Sequence, residues 1–199
     1  MSATAAQSAT IDYKYYLSKG ISFEEHNARF KSEMEAKAGG KYDKYLDQNW
    51  QRQTRIGRKL RLSEALVSEM DKLRQPLNWL VITEHWCGDA SQINPIIHRV
   101  AEASNGLINL KFVYRDQNEE LIDAHLTDNR SRSIPILIQL DEKCKLVCSY
   151  GPRPEEAQNL VKSILAEGGN YMIPLHSWYS KDKQKSVQED LVNLLKKAR

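Results

Sequence analysis

The sequence predicts an α/β protein in which helices cover a mixed sheet of about four strands. Two observations carry this prediction. After residue 75, short apolar runs alternate with amphipathic helical patterns, and only a tight turn separates the last two apolar runs. Alternating strands and helices favour a parallel pair, whereas a closing hairpin adds antiparallel strands. The predicted order is therefore strand, helix, strand, helix, strand, strand, helix.

The four predicted strands are short and end at turn or helix signals. The first is almost entirely apolar, as expected of a strand that is buried on both faces of a sheet. The last two flank the polar turn Asp141-Glu142-Lys143, so they should form an antiparallel hairpin. In chain order, the strands cover residues 79–83, 107–114, 136–140 and 146–150.

Three helices are predicted between and after these strands. The first covers residues 91–104 and repeats its apolar residues at intervals of three and four. A short helix covers 118–126, and the last runs from Pro154, a favourable first-turn residue, to Gly168, a favourable stop. The apolar face of this last helix, which we expect in the core, consists of Ala157, Leu160, Val161, Ile164 and Leu165.

Helices also dominate the two ends of the chain. Capping signals at Ser22 and Ser63 begin helices, so the first 75 residues are predicted to be helical after a disordered start at 1–10. Ser186 and Glu189 form another capping box before an apolar stripe, and this last helix either packs on the body or binds a partner. The predicted domains are a helical N-terminal extension, 1–75, the α/β domain, 76–170, and a C-terminal tail helix, 171–199.

Composition and charge narrow the function classes. The 199 residues are 41% hydrophobic and 28% charged, and 29 basic against 26 acidic residues give a net charge of +3. This small excess, without a long basic stripe, argues against nucleic-acid binding. No apolar run approaches the ~18 residues of a membrane helix, and the first ten residues do not resemble a signal peptide. We therefore expect a cytoplasmic protein whose three cysteines are thiols.

The run Trp86-Cys87-Gly88-Asp89-Ala90 joins the first predicted strand to the first amphipathic helix. A thiol at the start of a helix lies at the positive end of the helix dipole, where unpaired backbone N–H groups stabilise the thiolate. The thiolate is the nucleophilic form of cysteine. Cys87 is therefore the candidate catalytic residue, and the alternative is an inert buried cysteine.

From about residue 79 to residue 168, the chain resembles the thioredoxin family. Trp86-Cys87-Gly88 matches the start of the family motif Trp-Cys-Gly-Pro-Cys, and Pro95, Ile134-Pro135 and Gly151 match three further family positions. The resemblance implies a three-layer thioredoxin-like fold, a cis Ile134–Pro135 bond facing Cys87, and a substrate groove bordered by Gly151. It also points to a divergent bacterial group with a Trp-Cys-Gly-Asp motif.

Two departures from the family motif matter for the chemistry. Asp89 replaces the proline, and Ala90 replaces the second cysteine, which in the family resolves the mixed disulfide. No internal disulfide can close at this motif. The resemblance places Cys144 and Cys148 away from Cys87, and with no matching pair of ligands they predict ordinary thiols and not a metal site.

The resemblance also implies a set of substrate-binding residues around the thiol. This set is Trp86, Gly88, Asp89, Arg132, Ile134, Pro135 and Gly151. His85 is either a base or a loop residue, and Arg130, Arg132 and Arg153 either bind an anionic group, such as a glutathione carboxylate, or remain solvated. The helix terminus favours the thiolate and Asp89 opposes it, so we expect a Cys87 pKa of about 7.

Two functions from different classes fit these observations. In the first, Cys87 attacks a protein or small-molecule disulfide, and glutathione or another low-molecular-weight thiol resolves the adduct; no bound cofactor or metal is required. In the second, a redox-inactive module binds an extended peptide in the groove around Trp86, Ile134 and Pro135. The retained Cys87 favours the first function, and the missing second cysteine favours the second.

Overall fold

The computed structural model describes residues 11–36 and 39–198. The predicted disordered start at 1–10 lies outside these residues. The helices are α1 (Tyr13–Lys19), α2 (Phe23–Ala36), α3 (Asp43–Lys59), α4 (Glu64–Met70), α5 (Gly88–Ala103), α6 (Glu119–Asp123), α7 (Glu155–Ala166), α8 (Met172–Asp182) and α9 (Lys185–Lys196). The strands are β1 (Leu77–Thr83), β2 (Ile108–Tyr114), β3 (Ile136–Leu140) and β4 (Leu146–Tyr150), and a short 3-10 helix covers Arg115–Gln117.

The four strands form one mixed sheet in the order β2-β1-β3-β4. β1 and β2 run parallel, whereas β3 is antiparallel to both β1 and β4. This arrangement confirms the predicted α/β fold and its closing hairpin. It also places β1 at the centre of the sheet, so the motif that follows β1 begins at the carboxyl end of a central strand.

Helices cover both faces of the sheet. Alternate residues of β1 point to opposite faces, so they contribute to two separate core clusters. Trp79 and Val81 pack in a cluster with side chains of α2, α3, α4, α5 and α9. Leu80 and Ile82 pack in a second cluster with side chains of α1 and α6. All four of these β1 side chains are fully buried, as the apolar run predicts.

Within residues 11–36 and 39–75, helices α1 to α4 confirm the helical extension that the sequence predicts. Ser63 caps α4 as predicted, since its hydroxyl accepts a hydrogen bond from the N–H of Leu66. The capping box predicted at Ser186 is wrong. Helix α9 already begins at Lys185, and the Ser186 hydroxyl donates instead to the carboxylate of Asp182 in the preceding turn.

The largest difference from the sequence-based expectation concerns α7 and α8. The face of α7 was expected in the main core, but only Ala157 and Val161 are buried, and Leu165 is 54% exposed. Ala157 and Val161 pack against Leu175 and Tyr179 of α8, a helix that the sequence analysis did not predict. The main core uses α9 instead. None of the helices in the described ranges has the length and apolarity needed to span a membrane.

Candidate functional site

Cys87 lies at the turn from β1 into α5, where it is the N-cap of the helix. Its extended backbone, with φ −77° and ψ 120°, turns the sulfur toward the first helical turn. The sulfur accepts a hydrogen bond from the N–H of Ala90 at 3.4 Å and donates its S–H to the carbonyl oxygen of Ile134 at 3.2 Å. The thiol therefore occupies the helix terminus that the sequence predicts.

The predicted pKa of Cys87 is wrong. Burial, with only 7% of the residue exposed, is the main reason that the pKa of the thiol rises to about 12, and the negative charge of Asp89 raises it further. The backbone N–H groups of Ala90 and Asp89 and the charge of Arg153 lower the pKa, but they do not offset burial. The sequence-based value of about 7 omitted desolvation, which is the largest effect for a buried thiol.

The loop before β3 faces the thiol. Its Ile134–Pro135 bond is cis, and Ile134 supplies the carbonyl that accepts the Cys87 S–H. Gly151, at the end of β4, approaches this loop so closely that a Cβ would lie 2.2 Å from the carbonyl oxygen of Pro135. Its φ of +131° also disfavours any side chain. Only glycine therefore allows β4 to end beside the loop.

Asp89 is a buried anion with side-chain partners from two later segments. Its carboxylate accepts from Arg153 at 2.6 Å and 3.1 Å and from the Tyr179 hydroxyl at 2.6 Å. The Asp89 and Arg153 side chains are only 8% and 10% exposed. Arg153 also donates to Gln158 at 2.9 Å. Arg153 follows β4 and Tyr179 belongs to α8. Asp89 therefore connects both segments to the first turn of α5 through hydrogen bonds.

A cavity of about 280 Å³ opens beside the thiol. Part of the lining is a stack on Trp86. The Tyr42 ring stacks on it at 4.5 Å between centroids, and the Arg115 guanidinium lies 4.7 Å from the Trp86 ring centroid. Tyr45 adds a further aromatic side chain from α3. The lining also includes Cys87, Gly88, Asp89, Ser133, Ile134 and Arg153.

Helix α8 and the residue before it form another part of the lining. Tyr171, Met172, Leu175 and His176 line the cavity. His176 lies so close to Gly88 that a Cβ at residue 88 would be 2.9 Å from its Cε1 atom. Burial lowers the pKa of His176 to about 4, with a smaller contribution from Arg52, so the ring is neutral near pH 7.

The other charged candidates lie in different surroundings. Arg132 is outside the cavity lining, and its guanidinium donates to Asp123 at 2.6 Å and to Glu119 at 2.9 Å. Arg130 is exposed on the same loop. Arg153 lines the cavity but is occupied by Asp89, as described above.

His85 is buried behind the motif and does not line the cavity. Its Nδ1 atom lies 2.6 Å from a carboxylate oxygen of Glu33, and its Nε2 atom lies 3.1 Å from the hydroxyl of Tyr114. The adjacent Glu84 accepts a hydrogen bond from the backbone N–H of Asp116. Burial raises the pKa of Glu84 to about 7, against the lowering effect of that hydrogen bond. These contacts hold the His85 ring between Glu33 of α2 and Tyr114 of β2.

All three cysteines are free thiols. Cys144 lies in the β3–β4 turn and Cys148 on β4, and both are partly exposed, whereas Cys87 is buried. Neither of the two lines the cavity. Across residues 11–36 and 39–198, no group of three or more His, Cys, Asp or Glu side chains is arranged to hold a metal ion.

Sequence reasoning missed most of the cavity wall. The sequence analysis selected neither Tyr42 and Tyr45 nor Arg115 and the 171–176 segment as site residues. The aromatic pair Trp178-Tyr179 indicates a buried segment near this part of the chain, but Pro174 interrupts the helical pattern around it. Nothing local in the sequence indicates that these residues meet the motif.

Fold and site together define a thioredoxin-fold protein with a single thiol at the motif. The chain belongs to the thioredoxin family, since the family model described as "Thioredoxin" matches residues 36–166. A solved protein of unknown function from Pseudomonas aeruginosa is similar, with a TM-score of 0.69 and 18% identity over 96% of this chain and 100% of that one. An HIV epitope-scaffold gives a TM-score of 0.68 and 15% identity over 95% and 100% of the two chains. Such low identities show the fold alone, and no curated protein matches significantly.

Proposed function

We propose that this protein is a monothiol thioredoxin-like protein that acts in thiol–disulfide exchange through Cys87. The observation that carries the proposal is the position of the sulfur: it caps α5, faces the Ile134 carbonyl and borders a cavity. Ala90 occupies the position of the second family cysteine, so an outside thiol must resolve the adduct. The expected cytoplasmic location, which would supply such thiols, stays part of this proposal.

The exchange occurs in two balanced steps. In the first, the Cys87 thiolate attacks one sulfur of a disulfide R–S–S–R′, forming a Cys87–S–S–R bond and releasing R′–S⁻, which takes up the proton that Cys87 lost. In the second, the thiolate of an external thiol, with glutathione as the candidate, attacks the R sulfur of this mixed disulfide, forming a new disulfide between R and the external thiol as the Cys87–S–S–R bond breaks. Cys87 leaves and is reprotonated, so Cys87 itself is unchanged overall.

The resting thiol is almost entirely protonated. Burial and the negative charge of Asp89 raise its pKa to about 12, so the thiol form predominates at pH 7. The low thiolate fraction makes the free protein slow toward disulfides, and water that enters with the substrate would lower the pKa by reducing the desolvation. The protonated S–H also keeps the thiol paired with Ile134 between reactions.

The test is adduct formation with oxidised glutathione, followed by intact mass. Because Cys144 and Cys148 are more exposed than Cys87, the experiment uses the Cys144→Ser/Cys148→Ser double variant, and the triple variant that adds Cys87→Ser is its matched control. We expect one glutathionyl group on the double variant and none on the triple variant. No adduct on the double variant, at any pH at which it stays folded, would refute the redox function.

A second variant tests the role of Ala90. In the double-serine background, Ala90→Cys places a thiol one helical turn from Cys87, where its attack on the mixed disulfide is unimolecular. We expect the glutathionyl adduct to be replaced by an internal disulfide, with loss of two hydrogens in the intact mass. Persistence of the adduct would show that residue 90 cannot reach the Cys87 sulfur.

The alternative function is a binding module without turnover. The protonated thiol and the stacked wall of Tyr42, Trp86 and Arg115 favour it, because neither feature needs chemistry at Cys87. The two functions differ in the glutathione experiment: a binding module gives no Cys87 adduct.

A further inference from the structure

The cavity beside Cys87 is closed on two sides by segments from outside the central α/β unit. Tyr42 and Tyr45 at the start of α3 form part of one wall, and Tyr171, Met172, Leu175 and His176 form the other. Between them, Cys87 is only 7% exposed. A substrate therefore has to reach the sulfur through the cavity and not across an open surface.

Three kinds of contact hold α8 in this place. His176 packs on Gly88, at a distance that leaves no room for a Cβ. The Tyr179 hydroxyl donates to the buried carboxylate of Asp89 at 2.6 Å. Leu175, which is 2% exposed, packs with side chains of α7. These contacts join the helix to the motif itself, so moving α8 away breaks a packing contact and a charge-assisted hydrogen bond together.

An extended polypeptide would meet obstacles here. Strand addition needs free backbone groups along an open edge, but the Ile134 carbonyl already accepts the Cys87 S–H, and side chains of helix α8 line the same cavity. The cavity volume of about 280 Å³ is close to the lower end of pockets that bind small molecules, roughly 300–1,000 Å³. A disulfide within a folded protein would bring chain on both sides of each sulfur into this space.

We propose that α8 and the start of α3 restrict Cys87 to low-molecular-weight disulfides and exclude protein disulfides. This inference rests on the proposed thiol–disulfide exchange and follows the same balanced steps, with a small R–S–S–R′ molecule as the oxidant and a second small thiol as the reductant. Helix α8 acts as the selective element, since it is the wall that is bonded to the motif through Asp89 and Gly88.

The experiment compares two disulfides in the Cys144→Ser/Cys148→Ser background. Rates of adduct formation at Cys87 are measured by intact mass with oxidised glutathione and, separately, with insulin. The reference is the Cys87→Ser variant, whose two remaining thiols lie outside the cavity. The ratio of its insulin rate to its glutathione rate is measured in the same way and describes thiols that α8 does not cover. We expect the insulin-to-glutathione ratio at Cys87 to be lower by roughly a hundredfold or more than in this reference.

Two substitutions in α8 test the cause of the selectivity. Tyr179→Phe removes the hydrogen bond to Asp89, and Leu175→Ala removes packing against α7. Tyr179→Phe should raise the insulin-to-glutathione ratio by roughly tenfold or more, because loss of a hydrogen bond to a charged group shifts the opening of α8 by about that factor. Leu175→Ala should also raise the ratio, because the lost packing against α7 destabilises the closed position of α8. Ile173→Ala, at an 84% exposed position of the same helix, is the matched control and should leave the ratio unchanged.

The outcomes separate this inference from the function on which it rests. If neither disulfide modifies Cys87, the thiol–disulfide function itself fails. If glutathione modifies Cys87 and the ratio equals that of the reference thiols, the function stands and the selectivity is refuted. If Leu175→Ala unfolds, as circular dichroism would show, Tyr179→Phe decides: a folded Tyr179→Phe protein with an unchanged ratio overturns the role of α8.

Discussion

Two residues at the start of α5, Cys87 and Asp89, are held in opposite ways. Cys87 is bonded to backbone groups of its own helix and of Ile134, which any sequence with this chain path would supply. Asp89 is bonded to the side chains of Arg153 and Tyr179, which come from two later segments. The hydrogen bonds of the thiol therefore depend on the chain path, whereas those of the carboxylate depend on particular side chains of this sequence.

The largest expected effect comes from removing the arginine that pairs with Asp89. Arg153→Met leaves a buried carboxylate without its cation, so we expect the free energy of unfolding in urea to fall by about 3–5 kcal/mol. Arg132→Met is the control, because its ion pairs with Asp123 and Glu119 are exposed to solvent and should contribute little to stability. Equal losses for the two variants would remove the distinction between the buried pair and the surface pairs.

The next effect isolates the hydrogen bond from α8. Tyr179→Phe keeps the ring packed and removes only the hydroxyl that donates to Asp89, so stability should fall by about 1.5–3 kcal/mol. Tyr15→Phe, at a 52% exposed position of α1, should change stability by less than about 0.5 kcal/mol. Chemical denaturation of both variants measures the difference, and a neutral Tyr179→Phe would mean that Arg153 alone satisfies the carboxylate.

The pH dependence of the alkylation rate of Cys87 tests the part of the comparison that concerns the thiol. The reactive form is the thiolate and its pKa is raised to about 12, so alkylation by iodoacetamide should accelerate about tenfold per pH unit from about pH 6 to 10. The Cys144→Ser/Cys148→Ser background assigns the reaction to Cys87. A rate that levels off near pH 7 or 8 would instead support the lower pKa expected from the sequence.

Asp89→Asn links the two halves of the site. The negative charge of Asp89 raises the pKa of Cys87, so its removal should lower that pKa and increase the alkylation rate at a fixed pH. Because lower basicity also reduces the nucleophilicity of a thiolate, we expect only a roughly threefold to tenfold gain. Iodoacetamide rates for both proteins at one pH measure this effect, and a slower Asp89→Asn protein would contradict it.

The smallest expected effect concerns the contact between Gly88 and His176. Gly88→Ala forces a Cβ to within 3 Å of the imidazole, whereas in a His176→Ala background the same alanine has space. Alanine is otherwise favourable in a helix, so the cost of Gly88→Ala should be about 1 kcal/mol lower in the double variant. Additive effects in this double-mutant cycle would show that residues 88 and 176 are not in steric contact.

The central unit was predictable from the sequence because its signals are local. The apolar run that became β1, the period of α5 and the turn at Asp141 each specify structure within a few residues. The position of Cys87 followed from the junction of two such elements. Its pKa did not follow, because burial depends on what covers the sulfur, and most of the cover comes from segments far away in the chain.

The C-terminal half of the site shows the limit of local patterns. The apolar face of α7 was read correctly as amphipathic, but its period does not say whether the partner is the sheet or another helix. Asp89 looked like a charge that opposes the thiolate, and its partner Tyr179 lies 90 residues later. Only the tertiary structure reveals that this acidic residue at the position of the family proline is an anchor for α8.

The packing of α9 limits which part of this chain can be transferred by gene recombination. The segment that the thioredoxin family model recognises ends at residue 166, yet Leu191 and Leu195 of α9 are fully buried in the main core. Gln139 of β3 also donates a hydrogen bond to the carbonyl of Leu194. A gene fusion that transferred only residues 36–166 would leave that core uncovered, so recombination during evolution is expected to conserve the recognisable segment together with its C-terminal helices.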